Sequence, residues 1–205
     1  MQPQYGLSIV TAATTTPITI DEALAQLRVD STDEFPYIRA LIRKAVRYIE
    51  ETQDRTLVNT VRIMSLDEFP CSDEPLKMPR SPLQTITSVV YVDSTGGNTT
   101  MPSSNYIVDT YRMPGRIAPA YGQSWPTARE QIAAVTITYQ AGYGGTTATS
   151  TQSVTAVPET DKHVIALLVS HWFENREPVN IGNIVNAIPY TVETLLAAEN
   201  PGRYP

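Results

Sequence analysis

The hydrophobic period of this chain changes twice, and that change restricts its fold more than any other feature. Phe35, Ile38, Leu41, Ile42, Ala45, Val46 and Ile49 recur at three- and four-residue steps, which lines them along one face of a helix. From Leu57 the step becomes two. In "AAVTITYQAGYG", Ala133, Val135, Ile137 and Tyr139 alternate with Ala134, Thr136, Thr138 and Gln140, as in a half-buried strand. Helical spacing returns in "VPETDKHVIALLVSHWFENREP", entered at Pro158 and stopped by Pro178. Helices, then strands, then helices predict an α+β fold: a helical bundle of N- and C-terminal helices with an inserted antiparallel β-sheet domain. The expected division is an extended N-terminal arm over 1–18, a helical domain from 19–56 and 158–200, a β-rich insertion over 57–142 and a flexible loop over 143–157.

Local signals refine that outline. Thr19 with Glu22, and Ser31 with Glu34, have the spacing of capping boxes, and Pro36 suits a first helical turn. "LVNTVRIMSL" and "LQTITSVVYVD" read as strands, and the "STGGNT" turn uses Gly96 and Gly97 for positive φ. "MPG" marks another tight turn, "TTATSTQSVTA" a hydroxyl-rich loop, and "IPYTVETLLAAEN" a last short helix.

Composition bounds the function. The net charge of −6 disfavours autonomous nucleic-acid binding, which needs a basic face to neutralise phosphates, while leaving room for DNA to pass without sticking. One cysteine, Cys71, cannot form an internal disulfide and fits a reducing compartment. No run has the length of a membrane span and the start lacks a signal-peptide pattern, so a soluble protein made in the cytosol is expected, with no membrane partner.

The penultimate helix carries the functional question. Val164–Val169 with Trp172 and Phe173 covers an apolar arc of about 260° on a helical wheel, leaving His163, Ser170 and Glu174 as its polar side. Such a helix is either central to its own domain or shared with a neighbouring subunit. On the preceding long helix, Arg39, Arg43 and Arg47 form one basic column, either solvated or facing an acidic neighbour.

Catalytic readings are weaker. His171 and Glu174 have metal-compatible i, i+3 spacing, so the alternative is a small metal-dependent enzyme using His163, His171 and Glu174, but facing helices offer few further carboxylates. Asp67, Glu68, Asp73 and Glu74 form an acidic loop read as solvated. Tyr91, Tyr106, Tyr111, Tyr121 and Trp125 would be the recognition surface of a binding module, although aromatics at turns more often pack. Hydrolase, P-loop, zincin and dinucleotide motifs are absent, so no catalytic, cofactor-binding or metal residue is assigned and no cofactor is expected.

"HVIALLVSHWFENREPV" resembles the C-terminal helix of the head–tail connector (adaptor) proteins of tailed bacteriophages and related prophages. The family's order is also followed by "ITIDEALAQLRVDSTDE" before a long amphipathic helix, "MPRSPLQTITSVVYVD", "VTITYQAGYG" with a "VP" before the long helix, and "IPYTVETLLA". The likeness runs from about Pro17 to Ala198. It implies a structural virion protein, not an enzyme. Relatives form a ring, usually dodecameric, under the portal protein, extending the DNA channel and offering a platform for stopper or tail proteins. Double-stranded DNA would pass through the lumen without specific binding. The expected localisation is the virion neck, after assembly in the host cytoplasm. The expected contacts between copies are Arg39, Arg43, Arg47, Leu167, Leu168, Trp172, Phe173, Glu174 and Arg176. The long Thr-rich start and the "TTATSTQSVTA" loop depart from the family pattern.

Overall fold

The structure, a computed structural model, describes residues 4–144, 157–176 and 190–198. The chain is α+β and divides into two compact units, one of Met1–Ala13 with Asn59–Gly142 and one of Thr14–Val58 with Tyr143–Pro205.

The first unit is two antiparallel sheets around one core. Strands β1 (Tyr5–Thr11), β2 (Thr60–Leu66), β4 (Leu83–Val92), β5 (Asn98–Thr100) and β8 (Val135–Ala141) form the larger sheet, ordered β1-β2-β8-β4-β5. Strands β3 (Leu76–Lys77), β6 (Tyr106–Asp109) and β7 (Arg116–Pro119) form the smaller, ordered β3-β7-β6. The period of two in β8 is realised directly: Val135, Ile137, Tyr139 and Ala141 are buried, with Met64, Leu66, Leu76, Met78, Val89 and Ile117 in the same core. Tyr139 is wholly enclosed and its hydroxyl donates to the Pro79 carbonyl at 3.1 Å, which answers its polar end.

Three local readings are corrected here. Residues 5–11, expected within an extended arm, pair with β2 as an edge strand, with Leu7 packed onto the sheet core. Ala133 lies outside β8 and is exposed at φ 55°, its N–H held by Asp67 Oδ1 at 2.8 Å. In the β4–β5 turn only Gly96 takes positive φ, at 90°. Gly97 instead donates its N–H to the Asp93 carboxylate at 3.0 Å, and a Cβ there would meet that carboxylate at 3.2 Å.

The second unit is helical: α1 (Ile20–Leu27), α2 (Phe35–Gln53), α3 (Glu159–Glu174) and α4 (Tyr190–Ala198). Thr19 and Glu22 close a reciprocal capping box on α1, at 3.1 Å and 2.6 Å. Ser31 does not do the same for α2. It caps a short 3-10 turn over Thr32–Glu34, and α2 starts at Phe35 with Pro36 in its first turn and no side-chain cap. Ile38, Leu41, Ile42, Ala45 and Ile49 of α2 are buried against Val164, Ile165, Leu168 and Val169 of α3 and Val192 and Leu196 of α4. Leu57 and Val58, expected at the start of a strand, belong to this core as well, with Val58 bridged to Tyr143. The loop reading of 143–157 and the start of the last helix at Pro189 fall largely outside the described residues.

A charged pair is buried in the helical unit, beside the buried polar residues Gln53 and Thr56. Arg55 and Asp161 form an ion pair at 2.7 Å with side chains 2% and 0% exposed, and Arg55 also reaches the Tyr143 hydroxyl at 3.4 Å. Arg55 follows the left-handed C-cap Asp54 of α2, and Asp161 sits in the first turn of α3, so the pair ties the end of one helix to the start of another.

Candidate functional surface

The wide apolar arc of α3 is met mostly from within. α1, α2 and α4 pack around it, and Asp161, Val164, Ile165, Leu168 and Val169 are buried. His163 and Glu174 are exposed, while Ala166, Leu167, Ser170, His171, Trp172 and Phe173 are half-buried. The helix is therefore central to its own unit, and the breadth of its apolar face does not by itself require a neighbouring subunit. Leu168, expected at a contact between copies, is 0% exposed in the intrachain core and cannot serve there. Its position on the wheel faces α2 and α4, whereas Leu167, one step round, keeps some surface.

The C-terminal end of α3 lies on an aromatic and cationic cluster of α2. Lys44 Nζ sits 4.0 Å from the centroid of the Trp172 ring, and Tyr48 meets Trp172 edge-on at 6.3 Å and 87°. Tyr37 packs against Phe173 at 6.1 Å and donates its hydroxyl to the Trp172 carbonyl at 3.5 Å. Arg176 stacks over Tyr37 at 4.7 Å and over Phe173 at 4.8 Å while pairing with Glu34 at 3.1 Å. The cluster presents two stacked cations at a half-buried apolar base. The steps of seven and four among Tyr37, Lys44 and Tyr48 place them in one line along α2, a spacing that could have marked them as the receptor for Trp172 and Phe173.

Arg39, Arg43 and Arg47 are exposed on α2, and Arg47 pairs with Glu51 at 3.6 Å with both side chains largely in water. Such a pair adds little to stability, leaving the column's charge open to a partner.

The residues of the metal alternative do not gather. His163 and His171 are eight positions apart on α3, and no group of three or more His, Cys, Asp or Glu is placed to hold a metal among the described residues. The acidic loop is structural: Asp67 receives the Ala133 N–H, and Asp73 receives the Trp125 N–H at 3.0 Å. Of the five aromatics of the binding-module alternative, Trp125 stacks on Phe69 at 5.0 Å and Tyr91 meets Phe69 edge-on at 5.9 Å, both as packing. Tyr111 and Tyr121 are fully exposed on the smaller-sheet side of the unit. Cys71 is exposed, and no helix of the described residues is long and apolar enough to cross a membrane.

The carboxyls of Asp93 and Asp109 have lowered pKa values, both for architectural reasons. Asp93 is brought down to about 2, first by the Thr95 hydroxyl at 2.5 Å, with the Gly97 N–H and the Thr99 hydroxyl adding to it. Asp109 is lowered first by its hydrogen bond with Arg116 at 2.9 Å, across the β6–β7 pair.

No protein-family profile and no curated protein matches the chain. Solved structures do. A chain of the virion of a native gene transfer agent (GTA) particle matches with a TM-score of 0.76 and 22% identity, over 97% of this chain and 97% of that one. A chain from the neck of an empty GTA particle computed with C6 symmetry gives 0.76 and 22%, over 98% and 97%. One from the neck of a native GTA particle computed with C12 symmetry gives 0.70 and 21%, again over 98% and 97%. This chain therefore shares its whole fold, both units and their order, with chains found in such particles.

Proposed function

We propose that this chain is a structural protein of a phage-type particle neck: a head–tail connector, or adaptor. Copies assemble side by side into a ring under the portal, extend the DNA channel and give stopper or tail proteins a surface to dock on. The observation that carries this reading is the end-to-end fold likeness to GTA neck chains, in reconstructions with C6 and C12 symmetry. Cyclic symmetry higher than two-fold requires two different, complementary patches on each identical subunit. The exposed column Arg39–Arg43–Arg47 supplies one charged patch, and the end of α3, with Leu167, Trp172, Phe173, Glu174 and Arg176, supplies a half-covered apolar one. Charge matching at such a contact sets register and partner choice more than affinity. The net charge of −6 suits a conduit, because DNA slides past an acidic wall and would be retained by a basic one. The ring works in the virion neck, after assembly in the host cytoplasm, without a cofactor or chemistry of its own.

The test is imaging of particle necks carrying this chain with a tag, joined to sedimentation of the purified protein. Twelve copies of a 22.6 kDa chain form a species of about 270 kDa. A tag located in a ring between portal and tail supports the proposal. A chain absent from particles, or one that purifies with stoichiometric iron, manganese or zinc, overturns it.

A further inference from the structure

We infer that copies of this chain join by strand pairing, the outer edge of β1 on one copy lying against the uncovered part of β4 on the next. The inference rests on the ring reading above and names one of its contacts.

Both edges of the larger sheet are open among the described residues. On one side β1 pairs only with β2. On the other, β5 covers just Val90–Val92 of β4, and Met101 adds a bond to the Val89 carbonyl, which leaves residues 83–88 uncovered. The two stretches are of similar length, seven residues in β1 against six. Neither strand contains a charged residue or a proline, two of the devices that keep an edge from pairing, although the register shifts between Ile9 and Thr11 in β1 and at Leu83/Thr85 and Ile86/Ser88 in β4 bend both edges. The smaller sheet has them: its edge strands β3 and β6 carry Lys77 and Asp109. β1 also exposes large apolar side chains, with Ile9 at 54% and Val10 at 55%. An uncharged, apolar, exposed edge on a soluble chain is a site that expects a strand.

Strand direction selects the partner. β1 is antiparallel to β2, β2 to β8 and β8 to β4, so β1 and β4 run in opposite directions. Rotation about an axis along the strands preserves those directions, so β1 of one copy meets β4 of the next antiparallel, without reversal of either. β5 runs with β1 and would pair in parallel over only three residues. Pairing β1 with β1 is two-fold and stops at a dimer. Pairing β1 with β4 uses two different edges and repeats around an axis, which is the head-to-tail contact that a ring of six or twelve copies needs.

The experiment blocks each edge separately. The pair Ile9→Lys with Val10→Lys charges β1, and the pair Thr85→Lys with Thr87→Lys charges β4, at positions exposed in the single chain. Circular dichroism and thermal melts first establish that each variant folds like the parent, and sedimentation over a concentration series then reads assembly. Each blocked variant is expected to need at least about tenfold more protein to assemble, since one lost contact of 1.4 kcal/mol is a factor of ten. An equimolar mixture of the two retains one good β1 edge and one good β4 edge, and is expected to stop at a species of twice the chain mass. Either folded variant forming rings like the parent overturns the inference. A β4-blocked variant that dimerises alone also overturns it, in favour of β1–β1 pairing. Parent chain that stays monomeric over the series and on portal-bearing particles instead removes the ring reading itself.

Discussion

Replacing Asp161 by Asn leaves the Arg55 guanidinium in the helical core without its counter-charge. The two side chains are 2% and 0% exposed and meet at 2.7 Å, so neither reaches water when the other is neutralised. Removing one member of such a pair costs about 3–5 kcal/mol, because the remaining charge has lost both hydration and partner. For a chain of this size each kcal/mol lowers Tm by about 2–4 °C, which places the expected drop at about 6–20 °C. Urea and thermal unfolding followed by circular dichroism measure it. The double variant Arg55→Met with Asp161→Leu separates the ion pair from packing. Removing both charges is expected to bring stability back to within about 2 kcal/mol of the parent, or above it, since the desolvation of both groups disappears with them. The pair is not ideally satisfied, because Arg55 Nε has no hydrogen-bond partner among the described residues, which favours that recovery. An Asp161→Asn variant that loses less than about 1 kcal/mol would refute this reasoning, since Arg55 would then have to reach water.

Two further outcomes follow from the sheet unit. A Cβ on Gly115 would lie 2.5 Å from Leu83 Cβ and 3.2 Å from the Asp109 carbonyl oxygen, so Gly115→Ala should destabilise by about 1–3 kcal/mol in a denaturant melt, and adding Leu83→Ala should not add the two costs in full. The Asp93 carboxyl should titrate near 2 in carbon NMR; because that lies below the ordinary 3.8, its contribution to stability is complete above pH 3.8 and lost as pH falls through about 2, a dependence that Asp93→Asn should remove.

Chemical composition and periodicity made much of the fold legible. Of the α2 stripe, Ile38, Leu41, Ile42, Ala45 and Ile49 are buried and Val46 partly so, because a helix that buries one face must repeat its apolar residues near every 3.6 positions, while Phe35 at the helix start stays outside that core. The alternation in β8 was equally direct once its start is moved from Ala133 to Val135. The edge strand β1 was not recognised, since an edge packs only Leu7 and so carries little of the alternation that betrays a central strand.

The candidate surface was legible in part. Trp172, Phe173 and Arg176 were marked, but their receptors Tyr37, Lys44 and Tyr48 lie about 130 residues earlier, and only the fold brings the two stretches together. No local pattern singles out Arg55 and Asp161, which form a buried pair because the C-terminal end of α2 and the first turn of α3 converge.

By itself the amino-acid order determined the helices α2 and α3 and the central strand β8, since the hydrophobic period of each depends on its own residues alone. Only tertiary structure decided which apolar faces remain uncovered. The broad face of α3 is satisfied by α1, α2 and α4, while among the described residues β1 and part of β4 have no strand on their outer side, because burial is a relation between segments distant in the chain.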